Sequence, residues 1–238
     1  MMLVNDYVKR LNVLYEDNHI IVCEKFVNVL SQKDITNDAD MTGIIKTYLK
    51  EKYNKPGNVY LGLVHRLDRR VGGVMVFAKT SKAACRLSNE FASGSIEKKY
   101  LCICKGKLDD SGNICLLIAK DEKNNIAYEA ANGKEAKLEY VTVSSKNNTS
   151  LVLVNLLTGR YNQIRFSMAY INHPIVNDYK YDKETQFNKC DLALWCYKLS
   201  FVHPESCERV EFTAGIPNDM NVLMTELFGD YSALLRQL

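Results

Sequence analysis

With 238 residues, 47% of them hydrophobic and 25% charged, the chain has the size and make-up of a soluble globular protein with one large domain or two small ones. Its 31 Lys/Arg against 28 Asp/Glu leave a formal charge of +3, too even a balance to mark a nucleic-acid binder by bulk charge alone. No apolar run approaches the length of a bilayer span and no basic-then-apolar leader opens Met1 to Arg10, which excludes a membrane span and points to the cytoplasm.

In chain order, Val13 to Glu16 and Ile20 to Glu24 read as two strands of a hairpin turning at Asp17-Asn18. Asp38 or Asp40 can cap a helix from Met41 to about Tyr53, whose Ile44, Ile45, Tyr48 and Leu49 share one face; Asn54 to Gly57 ends it. Val74 to Lys79 is an apolar strand, and Thr80 caps a second helix that carries Ala84, Leu87 and Phe91 on one side and closes at Gly94. Lys99 to Lys105, Ala136 to Val143 and Leu151 to Leu157 are further strands. Thr158-Gly159-Arg160 is a turn ahead of a helix over Tyr161 to Asn172; strands at Leu192 to Phe201 and Arg209 to Thr213 and a helix from Asn218 complete the series. Many strands, few helices and no regular alternation of the two predict an α+β fold with a large mixed, mainly antiparallel sheet. The polar stretches Lys120 to Lys134 and Tyr179 to Lys189 read as mobile loops. No segment reads as a linker, so a single domain over residues 1–238 is expected.

The eight cysteines include no Cys-x-x-Cys pair, and none of the four histidines completes a zinc spacing. Buried reduced thiols acting as small hydrophobes are the expectation, with no metal. Charge is unevenly spread. From His65 to Lys99 there are eight Lys/Arg against three Asp/Glu, whereas Glu205 to Asp230 carries six acids and one Arg. Such asymmetry fits a phosphate-tracking face and equally a solvated face of mixed charge.

The densest feature is the turn holding Arg66, Asp68, Arg69 and Arg70 within five residues, directly ahead of the Val74 strand. A lone carboxylate among arginines is suited to nucleophilic attack or to charge stabilisation beside a polyanion. Taken alone, it also fits a surface turn whose Asp pairs with a neighbouring Arg.

Three segments settle the choice by their order: His65-Arg66-Leu67-Asp68-Arg69, then Lys98-Lys99-Tyr100-Leu101, then Thr158-Gly159-Arg160-Tyr161-Asn162-Gln163-Ile164-Arg165 with His173-Pro174-Ile175-Val176-Asn177-Asp178 behind it. Together they resemble the RluA-type family of RNA pseudouridine synthases, and the likeness runs from Leu14-Tyr15-Glu16-Asp17 to His203-Pro204. The resemblance implies the pseudouridine synthase fold and its reaction: the N-glycosidic bond of a uridine is broken and the ring is rejoined to ribose through C5. It implies Asp68 as the essential nucleophile toward a flipped-out base, Tyr100 as the aromatic that stacks on it and helps remove the C5 proton, and Arg165 as the arginine paired with the carboxylate. Arg66, Arg69, Arg70, Arg160 and Gln163 are expected to hold RNA. Such an ion pair would keep Asp68 ionised against desolvation, and a base must leave its stack to reach it. No group or electron is transferred from outside, so no cofactor is expected; the partner is a structured tRNA or ribosomal RNA stem-loop, and the enzyme a monomer.

The chain departs from the family pattern at Asn162 and Trp195, where histidines are common, at Arg70-Val71-Gly72, and at Phe26-Val27-Asn28. These positions bear on the substrate and the RNA cradle rather than on the matched catalytic side chains. Two other readings are open at this stage: a catalytically inactive RNA-binding or ribosome-assembly factor on the same fold, and a carboxylate-dependent hydrolase, which would need a second acid near Asp68.

Overall fold

The computed structural model describes residues 4–182 and 190–231. Helix α1 (Val4–Arg10) leads into strands β1 (Val13–Glu16) and β2 (Ile20–Lys25), then α2 (Met41–Lys52), β3 (Gly62–Leu63), β4 (Gly72–Ala78) and α3 (Ser81–Ser93). There follow β5 (Glu97–Lys105), β6 (Ser111–Asp121), β7 (Ile126–Glu129), β8 (Lys134–Lys146), β9 (Thr149–Leu156), α4 (Gln163–Tyr170), β10 (Leu194–Val202), β11 (Arg209–Thr213) and α5 (Asn218–Phe228). The class is α+β, as the sequence predicts, and the chain forms two compact units: Met1–Ile96 with Lys198–Ala214, and Glu97–Tyr197 with Gly215–Leu238.

In the first unit β1 and β2 form the expected hairpin. Asp17 closes it, its Oδ1 accepting from the backbone N–H groups of His19 at 2.8 Å and Ile20 at 2.7 Å. β2 runs antiparallel to β4 from Ile20↔Ala78 to Lys25↔Gly73. Both strands are apolar at consecutive positions because both faces are covered, and Ile20 to Cys23 and Val74 to Ala78 have no exposed surface. The helix caps follow the sequence: Asp40 accepts from the Gly43 N–H at 3.1 Å, Thr80 from the Ala83 N–H at 3.1 Å, and Gly94 ends α3 in the left-handed region at φ 77°. The last residues of β10 pair with β11 from Lys198↔Thr213 to Val202↔Arg209.

The second unit holds an antiparallel sheet in the order β5-β9-β8-β6-β7. The β8–β9 hairpin turns at Asn147-Asn148, with φ of 53° and 54°, a conformation asparagine adopts more readily than other side-chain-bearing residues.

One expected loop is replaced by strands. Residues 120–134 contain the end of β6, the whole of β7 and the start of β8, with Lys120↔Ala127 and Asp121↔Ile126 paired across a turn in which Asn125 has φ 56°. Cross-strand backbone bonds outweigh the polar composition here, which periodicity over four residues is too short to reveal. In the other expected loop, residues 183–189 lie outside the described residues. Helices and strands the sequence reading lacked are α1, β3, β6 and β7. Cys23, Cys102, Cys104 and Cys196 are buried as expected, whereas Cys85, Cys115 and Cys207 are exposed.

Candidate active site

In the first unit the loop between β3 and β4 carries the charged turn. Its apolar residue, Leu67, is buried and clamped by Ser31, whose hydroxyl accepts from the Leu67 N–H at 3.1 Å and donates to the Leu67 carbonyl at 2.8 Å. Two residues earlier, His65 Nε2 accepts from the Val76 N–H at 3.1 Å, and its ring stacks on Phe91 at 4.5 Å. With its neighbours pinned on both sides, Asp68 stands at the surface of the loop, half-buried. Its Oδ1 accepts from the Arg70 N–H at 2.9 Å, and its carbonyl accepts from the Val71 N–H at 3.0 Å. This is an Asx-type turn, so the loop conformation orients the carboxylate.

Beneath the turn lies a lysine that composition and motif matching left without a role. Lys25 has no exposed surface, and its ammonium donates to the carbonyls of Phe26, Arg69 and Val71 at 2.9, 3.0 and 2.8 Å. All three of its protons are used, and the two longer-range bonds tie β2 to the Asp68 turn. Burial pushes its pKa down to about 7, the Asp68 carboxylate opposes that fall and Arg69 adds to it. The sequence holds one signal for it, a lysine at the end of a strand that opens with four apolar residues, Ile20 to Cys23.

The arginines of the turn differ in what they can offer. Arg69 is partly committed, its guanidinium pairing with Asp38 at 2.7 Å and donating to the Asn28 carbonyl at 3.2 Å. Arg66 is exposed and makes no hydrogen bond or ion pair among the described residues. Arg70 is half-buried.

In the second unit Tyr100 lies on β5 opposite Val154 and is 7% exposed. Burial raises the pKa of its phenol well above the ordinary value, with Cys196 adding to the shift, so the hydroxyl is held neutral. Lys98, two residues earlier on the same strand face, is equally buried.

The Thr158 to Asn162 segment folds back on the helix it precedes. Gln163 is 3% exposed, and its Oε1 accepts from the Arg160 N–H at 2.9 Å and the Thr158 hydroxyl at 2.8 Å, while its Nε2 donates to the Lys137 carbonyl at 3.0 Å. Its amide is thus absorbed in shaping the turn. Arg160 is exposed, with Nε donating to the Glu135 carbonyl at 2.7 Å. The turn takes up two residues the sequence assigned to the helix: α4 starts at Gln163, after Asn162 in the left-handed region at φ 48°.

Arg165, on α4, is 3% exposed and forms a fork with Asp178: Nε to Oδ2 at 2.7 Å and Nη2 to Oδ1 at 2.5 Å. Asp178 has no exposed surface, also accepts from the Lys180 N–H at 3.1 Å, and the Tyr181 ring lies 5.5 Å from the guanidinium carbon. The segment carrying Asp178 is laid along β5 by bonds from Lys105 N–H to the Pro174 carbonyl and from Val176 N–H to the Ile103 carbonyl, at 2.9 Å each. Asp178 sits inside a segment the motif comparison quoted, yet nothing in its spacing identifies it as the partner of Arg165. Trp195, one of the departures from the pattern, is buried with its indole N–H lacking a hydrogen-bond acceptor among the described residues.

The structure therefore groups Arg66, Asp68, Arg69 and Arg70 on one locked loop of the first unit, and places Tyr100, Arg160, Gln163 and Arg165 in the second. A family model described as RNA pseudouridylate synthase matches residues 19–170, which includes all eight. The chain belongs to the RNA pseudouridylate synthase family. It is 29% identical over 91% of its length to ribosomal large subunit pseudouridine synthase D of Zymomonas mobilis, spanning 73% of that protein. It is 30% identical over 92% of its length to the pseudouridine synthase D of Xanthomonas campestris, spanning 70% of it. Among solved structures, human RNA pseudouridylate synthase domain containing 4 superposes with a TM-score of 0.79 at 20% identity, over 94% of this chain and 96% of that one. The fold is that of the pseudouridine synthases, and the protein is an RNA pseudouridine synthase, an isomerase acting on RNA.

Proposed function

We propose that this RNA pseudouridine synthase isomerises a specific uridine in a structured tRNA or ribosomal RNA stem-loop, with Asp68 as the nucleophile toward a flipped-out base. The C1′–N1 bond of the uridine breaks, the freed uracil turns, C1′ bonds to C5, and the C5 proton leaves while N1 takes up a proton, so the product is an isomer of the uridine. Tyr100 supplies the aromatic face for the flipped base, and its neutral phenol can accept or relay a proton only through hydrogen bonding, which suits stacking as its main task. Arg165 is assigned to supply positive charge for the ionised carboxylate of the reaction. It shares that charge with Asp178, and the buried fork fixes its orientation. Arg66, Arg69, Arg70 and Arg160 are assigned to the RNA backbone; Gln163 acts through the turn that presents Arg160.

The observation that carries this reading is the Asp68 loop itself. A functionally idle surface turn has no need of a fully buried lysine beneath it and a hydroxyl clamp beside it, both reaching across the sequence to fix the backbone on either side of Asp68. The relatives named for the large ribosomal subunit favour ribosomal RNA as the substrate. No cofactor is required, because nothing is transferred to or from the RNA, and residues 1–238 serve as one catalytic domain, working as a monomer in the cytoplasm.

The test is a chemical map of pseudouridine across all cellular RNAs after deletion of the gene, followed by complementation. At least one site is expected to vanish, to return with the wild-type chain and to stay absent with Asp68→Asn. Loss of no site, or full restoration by Asp68→Asn, would refute the assignment.

A further inference from the structure

The first unit contains a second place that nothing in the catalytic reading uses. A cavity of about 240 Å³ opens beside the turn of the β1–β2 hairpin, walled by Tyr53 and Tyr60 and edged by Asn18, Lys55, Asn58 and Lys79. It is smaller than the roughly 300–1,000 Å³ of sites for drug-sized ligands, which suits a single planar ring. Both tyrosines are about half exposed, at 46% and 51%, large aromatic surface left to solvent. Tyr60 is accommodated by Gly62, where a Cβ would come within 3.1 Å of its hydroxyl.

The charge around this place is unusual. Three ammonium groups, those of Lys52, Lys55 and Lys79, lie 5.1–5.7 Å from the centre of the Tyr53 ring. One carboxylate answers them: Glu16 pairs with Lys52 and Lys79 at 2.7 Å each and accepts from the Tyr53 hydroxyl at 2.7 Å. Lys55 has no acid within ion-pair distance among the described residues. Three cations against one anion leave an excess of positive charge around a half-exposed aromatic wall. Glu16, whose side chain is almost entirely buried, holds Tyr53 and two of the lysines in place, while Tyr60 beside them keeps about half of its surface exposed. An anionic ligand with a planar, hydrogen-bonding ring meets every element of this arrangement: a face for stacking, ammonium groups for a phosphate, and the amides of Asn18 and Asn58 for ring edges.

We propose that this cavity is a second nucleotide subsite, which stacks an unpaired base of the RNA substrate on Tyr53 and Tyr60 and takes its phosphate on Lys55. The inference rests on the RNA substrate class. Its position is informative, because Lys79 follows the end of β4 and the Asp68 turn precedes its start. Seven extended residues separate the two ends by roughly 23 Å. The nucleotide held here is therefore not the target uridine but one several positions away along the same RNA, so the strand β4 acts as a ruler between the modified base and a single-stranded neighbour.

The experiment uses the full chain and a fluorescein-labelled oligouridylate, with binding read by anisotropy at several salt concentrations. Tyr60→Ala is expected to raise Kd about tenfold, as for loss of one stacked base. Lys55→Ala should reduce the salt slope by about one. Tyr53→Phe, which keeps the ring and loses the hydroxyl, is expected to bind like the wild type, whereas Tyr53→Ala is not. The inference is overturned if Tyr60→Ala and Lys55→Ala both bind like the wild type, or if the wild type binds no oligouridylate. Asp68→Asn separates this from the catalytic reading. Weakened binding in the subsite variants alongside full pseudouridine formation by Asp68→Asn would sink the nucleophile and leave the subsite standing.

Discussion

Replacing Asp178 by Ala strips the buried Arg165 guanidinium of both short bonds in its fork, and the Lys180 N–H of its acceptor. Because the two partners are 3% and 0% exposed at their side chains, neither water nor salt screens the loss. Breaking a buried ion pair by removing one member costs about 3–5 kcal/mol, against about 0–1 kcal/mol for an exposed pair. For a chain of this length that corresponds to a fall in Tm of roughly 6–20 °C. Denaturant unfolding followed by fluorescence, with thermal melts alongside, reads the effect. The double change Arg165→Met with Asp178→Asn removes both charges at nearly constant volume and should recover most of the stability. It should not recover pseudouridine formation, since the cation assigned to the reaction is gone. If Asp178→Ala unfolds within about 1 kcal/mol of the wild type, the fork is not the stabilising contact its burial implies. If the refolded double variant is fully active, Arg165 is not part of the chemistry.

Ser31→Ala leaves the buried N–H and carbonyl of Leu67 without their shared partner; a loss of about 1–3 kcal/mol is expected, together with a lower kcat from a looser Asp68 loop, and unchanged kcat would separate the clamp from catalysis. For Lys25 the folded-state pKa, about 7, lies below the ordinary 10.5, so between those values the unfolded chain keeps a proton that the folded chain has released and stability rises with pH. The stability advantage of the wild type over Lys25→Met should therefore grow from pH 7.5 to pH 9.5, by up to about 1.4 kcal/mol per unit, and urea unfolding that shows a flat or falling difference would contradict it.

The limits of the sequence are clearest at the site. Asp68, Tyr100 and Arg165 were proposed because each sits in a short motif, and three motifs in family order carried the family. The partners that shape them were not. Lys25 reaches the Val71 carbonyl across 46 positions and Ser31 reaches Leu67 across 36, contacts between residue types that are common everywhere and carry no local pattern. For Gln163 the motif gave no hint of what the fold adds: its amide turns inward to hold the loop of Arg160. Elements followed the same division. β2, β4 and β9 each contain an apolar run of four or more residues (Ile20 to Cys23, Val74 to Ala78, Leu151 to Val154) and α2 and α3 carry their own caps, so local chemistry specifies them. β3 has two residues and β7 four, too few for a period to emerge, and both exist because a neighbouring strand offers hydrogen bonds.

By itself, then, the sequence determined the class of fold and the family, and singled out the three side chains proposed for the reaction, since these readings depend on periodicity and on short ordered motifs. Tertiary structure alone decided that Arg165 is forked to Asp178, that a lysine with three carbonyl partners underlies the Asp68 turn, and that three ammonium groups gather around Tyr53. These depend on which distant groups the packed chain brings within about 3–6 Å, where hydrogen bonding and charge act with strength that no linear spacing encodes.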